Sequence, residues 1–178
     1  DVYKRQSLIT LIGASGYGAW QRINDVETGR YFVLEQDLTA MDWIANNTPE
    51  DSTIAVNTIF WLPGTPHGVD AGYWLPYFTG RRISAGPMLM VLAPYDYRID
   101  VIETSKAVVD LASPTDSAET IGALDRLRGK GIDYIYLGAL SGIHGSGMSA
   151  EMLRASQQAE ELFYDRGSAV FRISADSP

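Results

Sequence analysis

The sequence predicts an α/β fold: a small, mostly parallel sheet flanked by helices, with a C-terminal antiparallel hairpin. Stretches with apolar residues at helical spacing alternate along the chain with short runs of β-branched residues. Parallel strands must be joined by crossover connections, so this alternation favours a parallel sheet. Near the C-terminus, residues 165–167 (Asp-Arg-Gly) separate two apolar runs, residues 162–164 and 169–173, which is typical of a hairpin.

The first predicted helix and strand lie within residues 37–57. Asp37 is expected to cap a helix that begins at Leu38, because an aspartate side chain accepts hydrogen bonds from the first free N–H groups of a helix. Residues 46–49 end in a proline and are expected to stop this helix. Residues 53–57 form a short apolar run with β-branched residues, which predicts a buried strand.

The middle of the chain has no clear period. Residues 58–80 are rich in proline, glycine and aromatic residues and predict a long irregular loop, a kind of segment that often carries function. Residues 81–84 predict a second short strand. Residues 86–117 are weakly patterned and contain three prolines, so no element is predicted there.

The second half of the chain returns to regular patterns. Asp116 and Glu119 have the spacing of a capping box, and the helix that they predict ends at the glycines after residue 128. Residues 132–137 follow at once as a predicted strand. Ser149 is expected to cap a short helix that precedes the hairpin.

The composition excludes several classes of function. The formal net charge is −8, so a basic surface for nucleic acid is not expected. The sequence contains no cysteine, which excludes disulfides, thiolate metal sites and cysteine nucleophiles. Its two histidines, His67 and His144, are too few for a multi-histidine centre, and both are expected to be loop residues, so no metal site is predicted.

The N-terminal residues suggest a piece of a longer protein. Residues 1–6 (DVYKRQ) match the translation of a transposon-end adapter used in sequencing libraries, and we expect them to be an artefact. Residues 7–22 are apolar and uncharged up to Arg22, which predicts the end of a transmembrane helix; the alternative is a buried element of a soluble core. Residues 23–36 are then a juxtamembrane connector, and residues 37–175 an extracytoplasmic α/β domain.

Three stretches of sequence carry a resemblance to a known family. They are DLxAMDWIxNxTP at residues 37–49, GVDAGYWLPYFTGRR at residues 68–82 and GIDYIYLG at residues 131–138. With them the chain resembles the C-terminal extracytoplasmic domain of polytopic prokaryotic membrane proteins of the GT-C-like glycosyltransferase kind. Many such proteins have two prolines shortly after the paired arginines, where this chain has Ala85-Gly86-Pro87.

The resemblance implies a membrane protein with this domain on the extracytoplasmic side of the cell membrane. Such enzymes use a polyprenyl-phosphate sugar donor and a divalent metal, and their catalytic acidic residues lie in an early loop of the membrane region. None of those residues can be matched here, so no catalytic residue and no cofactor is assigned to these 178 residues. The expected partners are the membrane, through N-terminal helices that precede the sequence, and a glycan or lipid-linked sugar.

The aromatic segment contains the candidate ligand contacts. Carboxylates and aromatic rings bind sugars, and arginine forks bind phosphates. The candidates are Asp70, Tyr73, Trp74, Arg81 and Arg82. The alternative is structural: Asp70 caps a short helix at residues 71–77, and Arg81 pairs with Asp70 or with the membrane surface.

Three interpretations of function follow. The first is an accessory domain of a membrane-embedded glycosyltransferase-like protein that helps to bind the acceptor or the lipid-phosphate sugar. The second is a non-catalytic structural or interaction module of a membrane protein. The third, a free soluble α/β enzyme, is disfavoured because the phosphate-loop and nucleophile-elbow motifs are missing.

Overall fold

A computed structural model describes residues 2–24, 32–114, 116–142 and 147–174. The chain divides into two units, residues 1–31 and residues 32–178. The first unit contains helix α1 (Val2–Asn24). The helices of the second unit are α2 (Glu35–Asn47), α3 (Leu75–Thr79), α4 (Tyr95–Ala112), α5 (Ser117–Gly129) and α6 (Ala150–Ser156). Its strands are β1 (Thr53–Val56), β2 (Thr58–Leu62), β3 (Thr65–Gly68), β4 (Arg82–Ile83), β5 (Ile132–Leu137), β6 (Ala159–Asp165) and β7 (Ser168–Ile173).

Five strands form the central sheet in the order β4-β1-β5-β7-β6. Strand β1 runs parallel to both β4 and β5, whereas β7 is antiparallel to β5 and to β6. The sheet is therefore parallel in its first three strands, and the C-terminal hairpin adds the antiparallel part at one edge. The predicted fold class is confirmed.

Helices cover both faces of the sheet, which gives two hydrophobic cores. Successive side chains of a strand point to opposite faces. Accordingly Ala55 and Ile135 belong to the core under α4, α5 and α6, whereas Ile54, Val56 and Tyr136 belong to the core under α2 and α3. A three-layer arrangement of this kind buries strands on both sides, which explains their apolar sequences.

Helix α1 contains the segment that was predicted to end a transmembrane helix. Residues 7–22 are helical throughout, and Arg22 lies in the last turn. Over residues 2–24, 32–114, 116–142 and 147–174, no helix combines the length and the hydrophobicity that a membrane crossing requires. The transmembrane interpretation stays a prediction.

The predicted start of α2 needs correction, whereas the interpretation of residues 23–36 as a juxtamembrane connector stays a prediction. Residues 23–24 belong to α1, residues 35–36 belong to α2, and residues 25–31 lie outside the described part of the chain. Helix α2 begins at Glu35, not at Leu38, and Asp37 is its third residue. The carboxylate of Asp37 still satisfies the helix start, because Oδ2 accepts a hydrogen bond from the Leu34 N–H at 2.9 Å.

Residues 58–80 are regular, contrary to the predicted loop. Strands β2 and β3 form a hairpin whose turn contains Gly64 at φ +75°. A 3-10 turn (Asp70–Trp74) and helix α3 follow. The strands have only five and four residues and include Pro66, so alternation could not reveal them.

Residues 86–117 contain the longest helix of the second unit, which the sequence did not indicate. Helix α4 begins after Pro94 and spans 18 residues. Small and polar residues interrupt the apolar stripe on its buried face and weaken the periodicity. These buried residues are Val101, Thr104, Ser105, Ala107, Val108 and Leu111.

The predicted caps in the second half are confirmed. Asp116 accepts a hydrogen bond from the Glu119 N–H at 2.8 Å and starts α5. Ser149 accepts one from the Met152 N–H and starts α6. Gly131, at φ +72°, turns the chain from α5 into β5, a conformation that favours glycine.

Candidate ligand-binding cleft

An open cleft of about 910 Å³ lies beside β4 and the first residues of β1 and β5. Residues 80–87, which contain β4, line its floor together with Thr53 and Ile132, the first residues of β1 and β5. Helix α4 forms the wall opposite the aromatic segment. Small-molecule sites commonly have volumes of about 300–1,000 Å³, so the cleft is large enough for an oligosaccharide unit.

Aromatic side chains form one wall of the cleft. They are Tyr73, Trp74 and Tyr77, and Tyr97 approaches from α4. Trp74 is 44% exposed and Tyr77 is 80% exposed. The rings of Tyr73 and Trp74 meet edge to face with centroids 5.9 Å apart, which orients Trp74. The cleft therefore offers flat apolar surfaces that are open to solvent.

The edge of β4 supplies backbone groups. The N–H groups of Arg82 and Ser84 donate to the carbonyls of Ser52 and Ile54, beside and within β1. Because hydrogen-bonding directions alternate along a strand, the peptide groups of Ile83 face away from β1, on the outer side of this edge strand. Ile83 itself lines the cleft.

Arg81 is buried and has a structural role at the end of α2. Only 8% of it is exposed. Its guanidinium donates to the carbonyls of Ala45, Thr48 and Thr79 and to Oγ1 of Thr48 at 2.8–3.2 Å. It satisfies C-terminal carbonyls that a helix leaves free, and it bonds neither to Asp70 nor to a ligand-facing group.

Arg82 points outward from the same strand. It is exposed and lines the cleft. Its guanidinium donates to the carbonyl oxygen of Asp51. Within the described part of the chain, no carboxylate forms an ion pair with it. Arg82 is thus a cation with free donors at the cleft.

Lys130 lines the cleft and forms ion pairs with two acidic side chains. Its Nζ lies 2.8 Å from Oδ1 of Asp100 and 2.8 Å from Oε2 of Glu103, both on α4. These hydrogen bonds, that to Asp100 first, raise the pKa of Lys130. The ammonium group therefore joins α4 to the start of β5.

Asp70 lies outside the cleft, in a polar network at the carboxyl ends of β1 and β5. It is 3% exposed and has a φ of +52°. Its Oδ2 accepts from Nδ2 of Asn57 at 2.8 Å, and its Oδ1 accepts from the Gly72 N–H at 2.9 Å. The second bond starts the 3-10 turn, as the structural alternative for Asp70 predicts in part.

Asn57 is the centre of this network, and sequence analysis did not single it out. Its Nδ2 also donates to Oγ of Ser141, and its Oδ1 accepts from the Met148 N–H, both at 2.8 Å. Asn57 follows β1 directly, and Ser141 lies beyond the end of β5. Polar residues just after parallel strands are the signal that could have identified them.

Of the two histidines, His67 lies in the described part of the chain. The ring of His67 packs against Tyr73 with centroids 4.8 Å apart, and burial lowers the pKa of His67. Among the residues that the structure describes, no group of three or more His, Asp or Glu side chains is arranged to hold a metal ion. His144 lies outside the described residues. His67 lies in β3, so it is a strand residue and not a loop residue as predicted.

The structure thus brings together four of the five candidate contacts. Tyr73, Trp74, Arg81 and Arg82 line the cleft, while Asp70 does not. Four further lining residues were not among the candidate ligand contacts: Tyr77, Tyr97, Asp100 and Lys130. Tyr77 lies inside the quoted aromatic motif, but the others become neighbours only through α4 and the pairing of β5 with β1.

The fold and the cleft define an α/β domain with an open, aromatic-lined site beside its edge strand. Comparison with protein-family models finds no match to the chain, and comparison with curated proteins finds none either. The resemblance to GT-C-like proteins accordingly stays a prediction.

Proposed function

We propose that residues 32–174 form a non-catalytic saccharide-binding domain of a membrane protein that resembles GT-C-like glycosyltransferases. In this proposal the domain lies on the extracytoplasmic side and holds the acceptor glycan or the sugar of a lipid-linked donor. The catalytic groups belong to a membrane region that precedes this sequence. The resemblance supports the membrane setting, and the cleft supports the binding role.

The exposure of Trp74 and Tyr77 carries the proposal. A sugar ring has apolar faces that pack on aromatic rings and a rim of hydroxyl groups that need hydrogen bonds. The cleft combines two open aromatic rings with an exposed arginine on the edge strand. Apolar surface left open inside a concave site is typical of ligand binding.

The binding role is tested by titration of the 178-residue chain with neutral trisaccharides of glucose, mannose and galactose, followed by NMR. Binding is expected to shift the indole N–H resonance of Trp74. Trp74→Ala and Tyr77→Ala are expected to weaken binding about tenfold each, while Tyr164→Ala, an exposed tyrosine on β6, leaves it unchanged. Absence of any shift in cleft resonances with neutral and acidic saccharides alike would contradict the proposal.

The membrane setting is tested by the genomic sequence upstream of residue 7. We expect several apolar spans of about 20 residues each. A start codon within a few residues of Ser7 would exclude this part of the proposal and would leave the binding role untouched.

A second candidate function is an interaction module, favoured by exposed apolar side chains. Leu89, Val91, Leu92 and Tyr95 lie exposed on the segment that enters α4. Exposed apolar patches commonly mark protein contacts. This candidate predicts concentration-dependent self-association in sedimentation velocity that Leu89→Ser with Leu92→Ser abolishes. A monomer at all concentrations, with saccharide binding intact, favours the first candidate.

A further inference from the structure

The cleft has an unusual charge balance for this protein. The whole chain carries a formal net charge of −8. The cleft, however, is lined by three cationic side chains, Arg81, Arg82 and Lys130, and by one acidic side chain, Asp100. The cleft therefore has the opposite sign from the rest of the chain.

The hydrogen-bond partners of these side chains show which positive charges are paired with a carboxylate and which are not. Lys130 forms a cluster with Asp100 and Glu103 whose formal net charge is −1, so Lys130 adds no positive charge for a ligand. Arg81 and Arg82 bond backbone carbonyls and, for Arg81, a threonine hydroxyl. Carbonyl groups satisfy the N–H donors of a guanidinium but leave its net charge in place. Two adjacent positive charges thus border the cleft without a bonded carboxylate in the described part of the chain.

Most other arginines of the same unit pair with carboxylates, whereas Arg98 bonds only the carbonyl of Val91 in the described part of the chain. Arg126 bonds Asp110, Arg154 bonds Glu161 and Arg172 bonds Glu160. In an acidic protein, carboxylates are abundant enough to pair most cations. An exposed arginine left without one, beside a buried arginine of the same sign, creates a local positive potential that attracts anions.

We infer that the ligand of this cleft is an acidic saccharide, a sugar that carries a carboxylate or a phosphate, and that Arg82 contacts the anionic group. The inference rests on the proposed function and specifies its ligand. Arg82 supplies the donors that face the ligand, because its guanidinium is exposed and planar and suits a two-oxygen anion. Arg81 adds charge from behind without touching the ligand. Trp74 and Tyr77 hold the sugar ring.

The experiment uses four probes on the 178-residue chain, followed by NMR at the Trp74 indole and Arg82 guanidinium resonances. They are glucose, glucuronic acid, glucose 6-phosphate and inorganic phosphate. The first three share one sugar ring and differ in charge. We expect glucuronic acid or glucose 6-phosphate to bind about tenfold more tightly than glucose, and the stronger of the two identifies the anion.

Two variants distinguish the local effect of Arg82 from the effect of the net charge of the chain. Arg82→Gln is expected to remove the preference for acidic sugars, so that glucuronic acid, glucose 6-phosphate and glucose bind with similar affinity. Arg172→Gln, on β7, changes the net charge equally and is expected to leave the preference intact. A preference that survives in Arg82→Gln overturns the assignment.

The remaining outcomes distinguish this inference from the proposed function. Equal binding of glucose and the acidic sugars overturns the inference and leaves the proposed function standing. Phosphate that binds as well as glucose 6-phosphate, with no binding of glucose, overturns the proposed function because the sugar ring then contributes nothing. Absence of binding by all four probes overturns the inference that the cleft takes an acidic saccharide.

Discussion

The hydroxyl group of Tyr136 donates a hydrogen bond of 2.8 Å to Oδ1 of Asp37, joining the middle of the sheet to the first turn of α2. Both residues are fully buried. Asp37 also accepts from the N–H groups of Ala139 and Leu34 at 2.8 and 2.9 Å. One carboxylate thus links β5, the segment after it and the start of a helix, which makes it a structural anchor.

Removal of the Tyr136 hydroxyl should destabilise the fold moderately. Tyr136→Phe keeps the ring and removes one hydrogen bond to a buried carboxylate, so the free energy of unfolding should fall by about 1–2 kcal/mol. Urea unfolding at neutral pH measures this. Tyr164→Phe, at an exposed tyrosine of β6, is the control and should change stability by less than about 0.5 kcal/mol. Equal effects would contradict the anchoring role.

The same tyrosine should make the domain sensitive to alkaline pH. Burial, together with the neighbouring Asp37 carboxylate, raises the pKa of Tyr136 well above its ordinary value. The folded state therefore holds the proton more tightly than the unfolded state. The contribution of protonated Tyr136 to the free energy of unfolding is therefore fully present below about pH 10. It is lost as the pH rises from there toward the pKa of Tyr136 in the folded state. Unfolding free energies at pH 8 and pH 11 should differ more for the native chain than for Tyr136→Phe.

The sequence predicted those parts of the fold whose signals are local. Asp116 and Ser149 cap their helices as expected, because a cap depends only on residues three positions apart. Helix α4 was missed because its buried face includes Thr104 and Ser105, which fit between neighbouring elements but carry no apolar signal. Its position against the sheet is a property of the packing.

The candidate site was predicted in part for the same reason. Trp74 and Arg82 were identified because they stand in one dense motif, and both line the cleft. Lys130 and Asp100 are 30 residues apart and meet only in the folded chain. Arg81 is buried and structural, whereas its neighbour Arg82 is exposed. Their adjacency in the sequence does not reveal which of the two is buried.

Arg81 should matter for stability more than Arg82 does. Arg81→Met removes three hydrogen bonds at the end of α2 and one to Thr79 of α3, and it leaves the carbonyls of Ala45 and Thr48 without their donor. The expected loss is about 3 kcal/mol in urea unfolding. Arg82→Met, at the next residue but exposed, should cost less than about 1 kcal/mol. A reversed order would show that Arg81 does not clamp the helix end.

Asn57→Asp should create a pH-dependent defect. The amide Nδ2 that faces Oδ2 of Asp70 at 2.8 Å becomes a carboxylate oxygen, so two buried negative charges would meet. We expect a loss of about 3 kcal/mol or more at pH 7. Such a pair keeps one proton more tightly when folded, so stability should recover as the pH falls toward 4.

The control for this change is Asn46→Asp. Asn46 also faces an aspartate, Asp42, with Nδ2 and Oδ1 3.3 Å apart, but it is exposed on α2. Water screens that pair, so the loss should stay below about 1 kcal/mol. Equal losses at both positions, or no recovery in acid, would contradict a sealed network around Asp70.

Two glycine-to-alanine substitutions should change the free energy of unfolding in opposite directions. A Cβ atom at Gly138 would lie 3.0 Å from Oδ1 and 3.1 Å from Cγ of Asp70, and 3.4 Å from Cβ of Ala71. Asp70 cannot yield freely, because Asn57 and the Gly72 N–H hold its carboxylate. Gly138→Ala should therefore lower the free energy of unfolding by about 1–3 kcal/mol.

Gly122 lies inside α5 with open space around its Cβ position. Gly122→Ala should therefore raise the free energy of unfolding by up to about 1 kcal/mol, because alanine lowers the entropy of the unfolded chain. Thermal unfolding of both variants measures the difference, and a stabilising Gly138→Ala would show that the Asp70 carboxylate is free to move.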